Sequence, residues 1–194
     1  MQRHELEHAI RAAASILRQD RVIIIGSQSI LGSFTEDQLP ASVTMSPEVD
    51  IAPMSDHDAE ALADQLSFDV GELSAFHSFN GFYIEGVGKR TAILPPGWEY
   101  RLVGVRNEDT NYATGLCLEP LDLCAAKLMA HREKDLEYVL ALIDVGIIDP
   151  VALAERVASI NLDEVQSDQS REVLDWRQRG SAIWLARQKS AFRL

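Results

Sequence analysis

Glu48 and Asp50 stand one residue apart in the short stretch "SPEVDIAP", and Gly26-Ser27 closes the apolar run "RVIIIGS". On an extended strand, residues i and i+2 leave the same face, so the two carboxylates project together. Two carboxylates that close repel each other unless a cation lies between them. Mg²⁺ takes carboxylate and phosphate oxygens together, which makes it the natural bridge. A glycine just after a buried strand lets the backbone turn sharply and come close to a ligand. A helix starting there would direct free N–H groups and a positive dipole end at that ligand, with the Ser27 hydroxyl as a further donor. Glu85, mid-strand in "GFYIEGV", can add a third carboxylate from a neighbouring strand. A triphosphate cradle beside metal-binding carboxylates describes nucleotidyl or phosphoryl transfer, with Mg²⁺ or Mn²⁺ as cofactor and an NTP as substrate.

The elements that must position these residues can be read from the pattern. Leu6, Ile10, Ala13, Ile16 and Leu17 recur at helical spacing, so the chain opens on an amphipathic helix over 4–18. "RVIII" and "EVDIAP" read as buried strands, ended by glycine and proline. "SQSILGSF" between them reads as a helix of roughly two turns, at 3.6 residues each, and "TEDQLPASVTMSP" as loop. "SDHDAEALADQL" reads as a helix opened by Ser55 with Asp58 three residues on. "GFYIEGV" is a third strand, and "TAILPPGWEYRLVGV" predicts strand, Pro-Pro-Gly turn and strand, with Trp98 packed by the turn. From Glu119 the pattern predicts one long helix ending at Gly146, then a helix with Asp149 as cap and Pro150 at its first position. The fold class is therefore α/β (α+β). Residues 1–118 form a small mixed-sheet core with flanking helices, and residues 119–194 form a helical C-terminal part packed on it.

Within the long helix, Lys127, His131 and Asp135 are four apart and drift by only about 40° per step around the axis. Arg132 lies about 140° from Lys127, nearer the other side. Asp122 is placed to cap or orient. Plainer readings stand beside these. Glu85 can be an edge-strand charge, and the Lys127–Asp135 row an exposed helix face laced with ion pairs. His57 and His77 read as surface residues, and Cys117 and Cys124 as buried small hydrophobes.

An apolar share of 46% predicts a folded chain, and no run approaches the roughly eighteen residues of a membrane span. Two cysteines are too few for a disulfide framework, so the chain reads as cytoplasmic with reduced thiols. The net charge of −12 argues against a nucleic-acid binder over its whole surface. The charge is uneven, however. Residues 171–194 carry six basic against two acidic side chains, a net +4, which leaves −16 on residues 1–170. That basic segment, with Trp176, Trp184 and Phe192, reads either as an amphipathic helix docked on the acidic body or as an RNA platform.

Gly-Ser, a spacer and acid-x-acid on the next strand resemble the signature of the nucleotidyltransferase superfamily with the DNA polymerase β type of fold. The segments "GFYIEGV", "LPPGWEYRL" and "CLEPLDLCAAKLMAHREKDLEYV" extend the likeness over about residues 20–145. In that order they resemble a bacterial group of nucleotidyltransferases related to abortive-infection and minimal nucleotidyltransferase toxins of toxin–antitoxin systems. The resemblance implies that Gly26 and Ser27 hold the β- and γ-phosphates and that Glu48 and Asp50 bind metal. It further implies that Glu85 completes the carboxylate set and helps activate the incoming hydroxyl, and that Lys127 contacts the triphosphate; Arg132 and Asp135 join the nucleotide-binding set from their place on the helix. Glu48 departs from the aspartate common at that position. The implied activity is transfer of a nucleotide to a hydroxyl acceptor, tRNA or a protein, with a cognate antitoxin as a further partner and no membrane. The alternative is a non-catalytic nucleotide- or partner-binding member of the same fold, antitoxin-like or regulatory.

Overall fold

The computed structural model describes residues 1–130 and 132–160. His131 and the whole basic segment, with Trp176, Trp184 and Phe192, lie outside the described residues. The elements are α1 (Arg3–Leu17), β1 (Arg21–Ile24), β2 (Glu48–Pro53), α2 (Ala59–Val70), α3 (Ala75–Asn80) and β3 (Tyr83–Gly86). They are followed by β4 (Val103–Val105), β5 (Thr114–Cys117), α4 (Pro120–Ala130), α5 (Glu133–Asp144) and α6 (Pro150–Ala158). The five strands form one mixed sheet in the order β3-β2-β1-β5-β4. β1 runs antiparallel to β2 and parallel to β5, while β2 and β3 are parallel. The α+β class read from the sequence is the one observed.

Register decides which side chains share a face. Ile24 lies opposite Ile51 on one side and Cys117 on the other, so these three point the same way. That face is covered by α1 and α2: a Cβ on Gly115 would run into Ile10, and one on Gly86 into the Ala63 carbonyl. The opposite face carries Ile23, Ile25, Asp50 and Glu85, and a cavity separates it from α4. One buried apolar cluster runs from Leu6 to Ile160 and includes Leu123, Leu142 and Leu153 of the last three helices. Trp98 is buried in it, as its turn predicts. Asp149 caps α6 by accepting from the Val151 N–H, with Pro150 at the first position.

Several elements differ from the sequence reading. The long helix from Glu119 is two, because Arg132 takes an extended conformation (φ −105°, ψ 144°) and α5 restarts after it. "SQSILG" forms a tight 3₁₀ helix over Ser27–Gly32. "TAIL" is not a strand; the chain there follows a 3₁₀ turn at Lys89–Thr91 and runs irregularly into Pro95-Pro96. The cap of α2 is Asp58 in the left-handed region, while the Ser55 hydroxyl accepts the His57 N–H instead. α3 and β5 have no counterpart in the sequence reading. Asp122 proves to be a buried hub. It accepts from Arg101 at 2.8 and 3.0 Å and from Arg156, tying the Pro-Pro-Gly loop and α6 to α4.

Candidate active site

β1 and β2 bring the two opening motifs together. The Ile25 N–H donates to the Asp50 carbonyl (3.1 Å), which sets the next residue, Gly26, against the Asp50 side chain. A Cβ on Gly26 would overlap the Asp50 carboxylate. Gly26 has φ −77°, ordinary for any residue, so glycine is required here by the close approach of a carboxylate, not by backbone conformation. Burial raises the Asp50 carboxyl to about 6, and Glu48 and Glu85 push in the same direction against Lys127 and Arg132. Glu85 is the register partner of Asp50 across β2 and β3. Its Oε1 accepts from the Ser67 hydroxyl (3.1 Å), and Ser67 Oγ in turn accepts the Gly86 N–H (2.9 Å). Burial, with Glu48 and its acidic neighbours, also raises the nearby Tyr83 hydroxyl.

The cationic side comes from α4 and α5. Lys127 is buried, and its Nζ donates to Ser27 Oγ and to Asp135 Oδ1, both at 2.9 Å, while lying 4.2 Å from the centre of the Tyr138 ring. Asp135 also takes the Arg132 Nε at 2.5 Å. Burial acts to raise the Asp135 carboxyl, but the hydrogen bonds from Arg132 and Lys127 outweigh it and hold the group below its ordinary range. Tyr138 donates its hydroxyl to the Ser27 carbonyl (2.8 Å), so Ser27 is held at both its side chain and its backbone. Lys127 and Asp135 thus meet across the break between two helices, not along one. Arg132, placed on the far side by helical geometry, joins them because the break turns it back.

These groups border a cavity of about 480 Å³. Gly26, Ser27, Asp50, Lys127 and Arg132 line it together with Arg90 and the apolar Ile93, Leu123 and Met129. Glu48 and Glu85 act on Asp50 from beside it and are not part of that wall. Because a six-residue 3₁₀ helix follows Gly26, anion attraction here rests on Lys127 and Arg132 more than on a helix dipole. Among the described residues, no three or more His, Cys, Asp and Glu side chains stand as a metal-holding group. The oxygen donors of Glu48 and Asp50 nonetheless suit Mg²⁺, which is held through one or two carboxylates with phosphate and water completing its shell. Crowded carboxylates with a raised Asp50 are the electrostatic signature of a site that gains from a cation.

Sequence reading passed over Tyr138, Ser67 and Arg90. Tyr138 follows Asp135 by three, a same-face helical spacing that could have flagged it. Ser67 and Arg90 carry no signal in the sequence. His57 is exposed, and the His77 ring accepts from the Leu73 N–H, consistent with their plain readings. Cys117 and Cys124 are buried, and burial pushes both thiols up to about 12. No described helix is long and apolar enough to cross a membrane.

A small mixed sheet that sets carboxylates against a Gly-Ser turn, with a lysine closing over the serine, is the frame of a nucleotide-handling α+β protein. Residues 4–183 match the family described as nucleotidyltransferase of unknown function (DUF6036), and the chain belongs to that family. No curated protein and no solved structure matches the chain.

Proposed function

We propose that the protein is a Mg²⁺-dependent nucleotidyltransferase of the DNA polymerase β-like superfamily that moves a nucleotide from an NTP to a hydroxyl acceptor. The observation that carries this reading is the Asp50 carboxylate packed against Gly26 in a cavity where Lys127 already holds Ser27. Gly26 and Ser27 receive the β- and γ-phosphates, and Lys127 and Arg132 neutralise them. Glu48 and Asp50 are the groups that hold Mg²⁺ or Mn²⁺. When bound, such an ion stabilises charge building on the transferred phosphoryl group and on the attacking and leaving oxygens. The acceptor oxygen bonds to the α-phosphorus as the bond from that phosphorus to the bridging oxygen breaks, and pyrophosphate leaves toward Lys127 and Arg132. Glu85, one oxygen fixed by Ser67, offers the other to the departing hydroxyl proton. The toxin resemblance favours tRNA or a protein as acceptor, in the cytoplasm, with a role in a toxin–antitoxin or phage-defence pair and a cognate antitoxin as partner.

One observation favours a second reading, a nucleotide- or partner-binding member without catalysis. It is that no three-carboxylate metal group stands together among the described residues. Incubating the protein with each labelled NTP, Mg²⁺ and cellular RNA and protein, followed by mass spectrometry, separates the two. A nucleotide adduct on an RNA or protein hydroxyl is expected. NTP binding with no transfer from any of the four would favour the binder.

A further inference from the structure

The cavity draws its lining from two chemically different stretches of the chain. Lys127 and Arg132, the cations felt by Asp50, are both committed to Asp135. The stretch from Val87 to Ile93 also lines the cavity, apolar at Val87, Ala92 and Ile93 and polar at Arg90 and Thr91. Arg90 acts on Asp56 rather than on Asp50. Its guanidinium makes no hydrogen bond or ion pair among the described residues, whereas its neighbour Lys89 is anchored to the Met54 carbonyl (2.7 Å) and to Asp56 (2.9 Å). A donor-only fork with no hydrogen-bonded partner among the described residues, on an anchored turn beside apolar side chains, is a reader awaiting acceptors.

Resting on the nucleotide reading above, we infer that this stretch of the lining is a nucleobase subsite. There Arg90 selects bases presenting two adjacent hydrogen-bond acceptors, guanine or cytosine, over adenine and uracil. Guanine places O6 beside N7, a pair that a guanidinium takes bidentately. Cytosine places O2 beside N3. Adenine sets its amino donor next to each ring acceptor it could offer with it, and uracil interposes N3–H between its two carbonyls, so neither meets both arms of the fork. The Thr91 hydroxyl donates or accepts and leaves this ranking unchanged. Val87 and Ile93 supply apolar contact for the base plane.

The test is a binding titration of the full chain with GTP, CTP, ATP, UTP and inorganic tripolyphosphate, each with Mg²⁺, repeated on Arg90→Ala. Wild type is expected to bind GTP, CTP or both about tenfold tighter than ATP and UTP. Arg90→Ala should abolish that preference while leaving tripolyphosphate binding unchanged. The GTP and CTP arms show which acceptor pair the site reads. Equal binding of all four NTPs by wild type overturns the inference. So does an Arg90→Ala loss as large for tripolyphosphate as for GTP, which would make Arg90 a phosphate contact. If neither NTPs nor tripolyphosphate bind, the nucleotide reading itself fails, and this inference with it.

Discussion

Asp50 carries opposed demands in one side chain. Its carboxyl is raised to about 6, above the ordinary 3.8, chiefly by burial. In the metal-free protein the folded state therefore holds its proton more tightly than the unfolded chain does. That contribution to stability is fully present below about pH 4 and is lost as pH rises through about 6. Asp50→Asn is thus expected to stabilise the metal-free protein at pH 7 by on the order of 2 kcal/mol. The difference should shrink toward pH 4, as thermal unfolding in EDTA would show. The same change should slow nucleotide transfer by about a hundredfold or more, by analogy with removing one preorganised electrostatic group. Lys127→Ala should act otherwise, raising the KM for NTP as well as lowering kcat, because it would remove the proposed contact to the ground-state triphosphate. Steady-state kinetics would separate the two. Glu48, Asp50 and Gly26 were legible in the sequence because alternation along a strand and a glycine at its end are local signals. Ser67 was not, since it matters only through Glu85 and Gly86, distant in sequence, and Arg90 was not, since only the fold brings it to the cavity wall.

Among the elements, the break at Arg132 organises the cationic side. Helical periodicity continues in phase from Lys127 to Asp135, and no glycine or proline interrupts it, so the sequence offered no stop signal. β5 escaped notice for a related reason: "TGLC" is short and has no clean alternation. β2, α1 and α6 were legible because their periods and caps agree with their burial. What fixes α4 against α6 and the Pro-Pro-Gly loop is Asp122, fully buried between Arg101 and Arg156. Asp122→Ala would strip two guanidinium groups of a shared buried partner. It is expected to destabilise the fold by about 3 kcal/mol or more, measured as a lowered denaturant midpoint. Asp122 does not line the cavity, so protein that remains folded should keep its NTP affinity.

At the scale of the molecule, the proposed function asks an acidic chain to accept a polyanionic substrate, a conflict that a divalent cation would resolve. NTP with Mg²⁺ is expected to raise the melting temperature, and NTP in EDTA to leave it nearly unchanged; equal shifts would remove the metal site. If residues 171–194, which carry +4, form an RNA platform, deleting them should weaken RNA binding while leaving NTP binding intact, as filter-binding and titration assays would report; loss of folding would instead mark the segment as a helix docked on the body. The sheet also bears on how copies of the chain meet one another. Among the described residues, β3 ends the strand order. Its Tyr83 and Val87 N–H groups donate to Pro47 and Ile51, so by alternation the Gly86 N–H points outward. An outward row of backbone donors is a template on which another chain can add a strand. Ser67 Oγ occupies the Gly86 donor, and Gly86 lacks the Cβ that would push the Ala63 carbonyl of α2 away. Phe68 and Phe79, on the adjoining helices, are exposed, so an unsealed edge here would be flanked by apolar surface that invites aggregation. The serine that steadies Glu85 therefore also occupies the edge donor, so the placement of one carboxylate and the closure of this sheet edge are coupled.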